Sequence, residues 1–180
     1  ANVKQLSFIK RNLESEINLH GIDRLDQLVI GKINVLNVWK EGFDLNLGTN
    51  DPTVGEYAIK SFVAATQALK AGQVDVLVTA PINKYNIQSE AFKFPGHTDY
   101  LNQELEGNAL MLMVQDNLRV GLLTDHIPLN EVASHLTEEL IKQKIETVKQ
   151  SLIQDFSINK PRIAVLGLNP HCGDGGVIGT

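Results

Sequence analysis

Five histidines are spread along the 180-residue chain, and three stand where chemistry is done. His126 lies in Thr124-Asp125-His126-Ile127-Pro128, directly past the apolar run Leu118–Leu123. His171 lies in Asn169-Pro170-His171-Cys172-Gly173, directly past the apolar run Ile163–Leu168. In open α/β sheets ligands collect beyond the carboxyl ends of strands, so both imidazoles occupy ligand positions. Imidazole is the commonest protein ligand for a catalytic divalent ion, and two from separate strand ends could share one ion. A catalytic centre needs at least three protein ligands, so the pair leaves one to come from elsewhere. The alternative is that each imidazole is a structural or surface group.

The third histidine opens a different arrangement. His97-Thr98 follows the turn Phe94-Pro95-Gly96 at the start of a helix. A hydroxyl, an imidazole and free backbone N–H groups meet there, which suits the carboxylate or phosphate of a small substrate. Equally, Thr98 could only cap a helix over Asp99–Leu105. Lys84, after the run Val74–Thr79, is either a phosphate ligand or a solvated side chain. The stretch Gly173–Gly179 fails G-x-G-x-x-G, because Ile178 stands where the third glycine belongs, and it has no lysine for a P-loop. It remains either a backbone approach to an anion or a plain tight turn. Cys172 has no second cysteine to pair with, and Asn169 and Asp174 line the same loop without an assigned role. His20 and His135 read as surface groups at helix ends, and Met111 and Met113 as part of a strand.

The elements that must position these groups follow from periodicity. Val3, Leu6, Ile9, Leu13 and Ile17 recur at helical spacing, predicting a helix over Val3–Leu19 closed by His20-Gly21. Leu28–Val38 alternates and predicts a strand. Thr49-Asn50-Asp51-Pro52 is a helix start, and the helix runs to Ala71 with Gly72 beyond it. Val74–Thr79 reads as a strand covered on both faces, and residues 83–90 as a short helix. Ala109–Val114 and Leu118–Leu123 are strands split by Gln115-Asp116-Asn117. A short helix over Leu129–His135, a long one from Thr137 to about Asp155, and a strand at Ile163–Leu168 complete the series. Strands alternating with helices imply an α/β fold, a largely parallel sheet with flanking helices. The Phe94–Gly96 stretch is the best boundary, dividing a first α/β part, 1–95, from a second, 96–180.

Composition narrows the partners. Lys and Arg number 16 against 21 Asp and Glu, with no basic stripe, which argues against nucleic acid as the main partner. One cysteine excludes an internal disulfide and favours a reducing compartment. The longest apolar runs fall far short of the roughly 20 residues a bilayer span requires. No basic start followed by an apolar stretch marks a signal peptide, so the cytoplasm is the plain expectation. The chain starts at Ala1 without methionine and stops just after a glycine-rich loop, which suggests a fragment of a longer protein.

Taken together, four segments resemble one family: Thr79-Ala80-Pro81-Ile82-Asn83-Lys84; Pro95-Gly96-His97-Thr98-Asp99-Tyr100-Leu101; Thr124-Asp125-His126-Ile127-Pro128-Leu129; and Gly167-Leu168-Asn169-Pro170-His171-Cys172-Gly173-Asp174-Gly175-Gly176. Their order and spacing are similar to those of the 4-hydroxythreonine-4-phosphate dehydrogenases of pyridoxal phosphate (vitamin B6) biosynthesis. The resemblance implies a two-domain, isopropylmalate-dehydrogenase-like architecture in a homodimer with its active site at the interface. It implies NAD- or NADP-linked oxidation of 4-phosphohydroxy-L-threonine at C3, with decarboxylation to 3-amino-2-oxopropyl phosphate. It further implies a divalent metal, zinc above all and otherwise magnesium or cobalt. On the matching positions, His126 and His171 fall on two of three metal histidines, and His97 and Thr98 on the substrate-binding pair. The third metal histidine, later substrate-holding residues, most of the nicotinamide region and an N-terminal strand have no counterpart in these 180 residues. No cofactor-binding residue and no catalytic residue beyond the metal site is assigned. Asp125 and Cys172-Gly173-Asp174 depart mildly from the family pattern. Relatives acting on threonate or erythronate 4-phosphate, or a non-catalytic metal- or phosphate-binding chain, are the competing expectations.

Overall fold

The computed structural model describes residues 1–179, which form two compact units, one over Ala1–Gly107 and one from Asn108 onward. Each is a small sheet with helices, so the chain is mixed α/β.

In the first unit, helix α1 (Val3–Asn12) starts where the Asn2 side chain accepts from the N–H groups of Lys4 and Gln5. It ends earlier than its periodicity predicts: Glu14 has φ 50° and leaves the helical path, and Leu13 and Ile17 are exposed. Strand β1 (Leu19–Ile22) pairs in parallel with β2 (Ile33–Leu36), in register from Leu19 opposite Ile33 to Ile22 opposite Leu36. β1 falls where the sequence predicts a helix end. Four residues, Leu-His-Gly-Ile, are too few to show a period, and the pairing with Ile33–Leu36 decides their conformation.

Helix α2 (Pro52–Lys70) begins as expected: Asp51 caps it through Thr53 N–H at 2.8 Å and Pro52 occupies the first turn. Its buried face carries Phe62, Thr66 and Ala68, and the Thr66 hydroxyl is satisfied by the Phe62 carbonyl at 3.0 Å. Phe62 joins Ile87, Phe92 and Tyr100 in a core completed by Ile59, Val63, Leu77, Ile82, Phe94 and Leu101. That core binds four pieces together: α2, the run around Leu77, the segment 82–94, and α3 (His97–Glu104). Residues 83–90 form turns and not the expected helix. The Asn83 side chain accepts from the N–H groups of Tyr85 and Asn86, a local bond that competes with helical pairing.

In the second unit, β3 (Leu112–Gln115) and β4 (Leu118–Gly121) form an antiparallel hairpin across Asp116-Asn117, with Asp116 at φ 41°. The expected short helix is a 3-10 turn, Leu129–Glu131, followed by the single turn α4 (Val132–His135). Helix α5 (Glu138–Gln154) is capped by Thr137 through Leu140 N–H, with Glu138 and Glu139 favourably placed in its positive first turn. It packs closely on β4: a Cβ at Gly121 would lie 3.0 Å from Val148. Lys144 and Gln143 tie it to the approach to β3 through the Ala109 carbonyl and Asn108 side chain.

The apolar runs Val74–Thr79 and Ile163–Leu168, expected as strands, pair with no neighbour among the described residues. Val78 is 88% and Leu166 86% exposed. Apolarity signals a segment suited to burial, while a strand exists only once a second segment supplies its hydrogen bonds.

Candidate functional site

The substrate-type residues lie in the first unit. His97 is the first residue of α3 and Thr98 the second, both half-buried. The cap is Gly96, in an extended conformation, and so Thr98 does not cap the helix, as one sequence reading allowed. Gly96 offers no side-chain acceptor, which leaves the first-turn N–H groups without a side-chain cap. The His97 ring stands edge-to-face on Phe62, centroids 4.7 Å apart and planes at 84°. Desolvation by burial holds the imidazole below its ordinary pKa of 6.5, so the neutral form predominates at pH 7. A neutral imidazole brings one N–H donor and one lone pair, and Thr98 adds a hydroxyl that both donates and accepts. The pair suits hydroxyl, carboxylate or phosphate oxygens. Exposed Lys84 lies over Gly96: its Cε is 3.7 Å from the position a Cβ there would take.

The two other histidines lie in the second unit. His126 is exposed and follows β4 by five residues, beside a tight turn in which Ile127 N–H bonds the Asp125 carbonyl at 2.5 Å. His171 is exposed too, and its setting is not one that sequence periodicity shows. From His171 to Gly175 five successive residues have left-handed backbone angles, with φ of 51°, 53°, 83°, 47° and 63°. His171, Cys172 and Asp174 pay the Cβ penalty of that conformation, about 1–2 kcal/mol each. Bonds from Cys172 N–H to the Asn169 carbonyl and from Ile178 N–H to the Gly173 carbonyl close the turn. The glycines at 173, 175 and 176 are its visible trace in the sequence, since three in four residues mark backbone that other residues resist.

Two exposed imidazoles are chemically apt as part of a divalent-metal donor set. Among the described residues, no three His, Cys, Asp or Glu side chains group to complete one. Residues from outside this set must finish any centre built on His126 and His171. No dinucleotide site is identified either, because the glycine-rich turn lacks the required spacing.

A family model described as pyridoxal phosphate biosynthetic protein PdxA matches residues 2–180. The chain belongs to the PdxA family. It is 39% identical over 178 residues to the 4-hydroxythreonine-4-phosphate dehydrogenase of Bacteroides thetaiotaomicron, covering 98% of this chain and 49% of that relative. The enzyme of the same name from a Sulfurihydrogenibium species is 33% identical over 179 residues, covering 98% and 55%. Among solved PdxA structures, that of the Burkholderia phymatum 4-hydroxythreonine-4-phosphate dehydrogenase superposes with a TM-score of 0.83 at 27% identity, covering 99% of this chain and 55% of the other. The chain thus spans about half the length of the relatives it matches. No helix among the described residues is long and apolar enough to cross a membrane.

Proposed function

We propose that this chain is the part of a 4-hydroxythreonine-4-phosphate dehydrogenase that carries its substrate-binding pair and two of its metal ligands. The similarity to PdxA proteins over nearly the whole chain is the observation that supports this reading most. The substrate is 4-phosphohydroxy-L-threonine. Its C3 alcohol loses a hydride to NAD or NADP and a proton to a base, and the resulting 3-oxo acid loses carbon dioxide to leave 3-amino-2-oxopropyl phosphate. His97 and Thr98 bind and orient the substrate: a neutral imidazole and a hydroxyl contact its oxygens without adding a second cation. His126 and His171 hold a divalent ion, zinc in the first instance. When bound, such an ion supplies Lewis-acid polarisation of the substrate oxygen.

The wider family architecture belongs to the same proposal. It comprises two α/β domains of the isopropylmalate-dehydrogenase type, divided near residue 95, a largely parallel sheet, and a cytoplasmic homodimer. The test is NADH formation by the complete gene product from 4-phosphohydroxy-L-threonine, with and without a chelator. Turnover lost to the chelator and restored by zinc is the expected result. Turnover with threonate 4-phosphate alone would overturn the substrate assignment.

A further inference from the structure

We propose that Lys84 is a further substrate-binding residue, whose ammonium holds the substrate phosphate beside His97 and Thr98. This rests on the reading of the His97–Thr98 site given above. Its own support is the way the first unit builds the lysine in.

The backbone at Lys84 is anchored to the approach to α3. The Gln88 side-chain amide donates both to the Lys84 carbonyl, at 3.2 Å, and to the Phe94 carbonyl, at 3.0 Å. Ile87 N–H bonds the Asn83 carbonyl, and the Asn83 side chain donates to Asn50 at 3.0 Å. Ile82 and Ile87 pack in the same core as Phe94 and Tyr100, so the segments bearing Lys84 and His97 share one hydrophobic cluster. The Lys84 Cε then comes within van der Waals reach of Gly96, 3.7 Å from the position a Cβ there would take.

The charge carried there has no partner among the described residues. Among the described residues, the Lys84 ammonium makes no ion pair or hydrogen bond, and Asp99 in the first turn of α3 does not engage it. Lys70, by contrast, meets Glu104 at 3.6 Å. His97 is kept neutral by burial and supplies no fixed positive charge. A dianionic phosphate seated by Thr98 and His97 needs a cation, and Lys84 is the anchored one beside them.

Two measurements on the complete gene product test this, with Lys84→Met, Lys84→Arg and, as a charge control, the exposed Lys93→Met. The first is titration with inorganic phosphate followed by phosphorus NMR. Lys84→Met weakens binding roughly ten- to hundredfold, the scale of one charge-assisted hydrogen bond. Lys84→Arg recovers most of the loss, and Lys93→Met binds as the parent does. The second is steady-state kinetics with 4-phosphohydroxy-L-threonine. KM rises on the same scale while kcat and the KM for the dinucleotide hold, a split that a merely structural role for Lys84 would not produce. Absence of phosphate binding in the parent, equal binding by Lys84→Met, or a loss that arginine does not recover overturns the proposal. Lys84-dependent phosphate binding without turnover would leave the lysine assignment standing and sink the substrate reading. Turnover indifferent to Lys84 would do the reverse.

Discussion

The His97 imidazole rests edge-to-face on the Phe62 ring, 4.7 Å between centroids, so a core residue of α2 helps to bury the first residue of α3. Burial lowers the pKa of His97 from 6.5. The unfolded chain therefore binds this proton more tightly than the folded one, and stability rises with pH. The destabilisation is absent well above pH 6.5, grows as pH falls through 6.5, and is complete below the folded pKa of His97. A proton NMR titration of His97 gives a midpoint below 6.5. In Phe62→Leu the midpoint moves back toward that value, while packing lost at this buried site lowers stability by about 1–2 kcal/mol. A midpoint unchanged by Phe62→Leu would refute the link.

Gly55→Ala sets two effects against each other. Alanine is the better helix former by about 1 kcal/mol in the interior of a helix such as α2. A Cβ at residue 55, however, would fall on the backbone carbonyl of Asn86, which cannot turn aside as a side chain can. The steric effect wins, and Gly55→Ala lowers stability by about 2–3 kcal/mol in a denaturant titration. It also displaces the Lys84 segment, seen as amide shifts over residues 83–88. A more stable Gly55→Ala variant would show that α2 does not approach Asn86 so closely.

The left-handed turn makes neighbouring substitutions diverge. Gly173 has φ 83°, and a Cβ there would strike the Gly179 carbonyl. Gly173→Ala accordingly costs about 1–3 kcal/mol, combining backbone strain with the clash. Asp174 already carries a side chain at φ 47°, so Asp174→Gly relieves strain and is neutral or stabilising by up to about 1 kcal/mol. Thermal unfolding of the two variants separates these outcomes, and equal losses would exclude the left-handed turn.

Metal content reports on His126 and His171 independently of turnover. In the complete gene product, His126→Ala and His171→Ala each weaken zinc binding by at least about 10- to 100-fold, the scale on which even the supporting partners of ligands act. His135→Ala, at the end of α4 where its ring contacts the Glu131 carbonyl, leaves zinc binding intact. Elemental analysis after dialysis against a competing chelator measures this. Zinc retained in either of the first two variants would remove that residue from the ligand set.

Local signals carried much of this structure. The cap residues Asp51 and Thr137 and the periodic stretches after them specify α2 and α5, because capping and amphipathic spacing act within a few residues. The motif segments around His97, His126 and His171 also mark the family by sequence alone, since they are contiguous. Where pairing is non-local, sequence reading stopped short. Val74–Thr79 and Ile163–Leu168 have the composition of strands and no partner among the described residues, whereas the unpromising Leu19–Ile22 becomes a strand because Ile33–Leu36 lies beside it. The lowered pKa of His97, the position of Lys84 over Gly96, and the left-handed path through His171 were likewise settled by tertiary structure. Each depends on atoms distant along the chain or on backbone angles that the residue itself disfavours, and only the packed fold brings in the interactions that decide them.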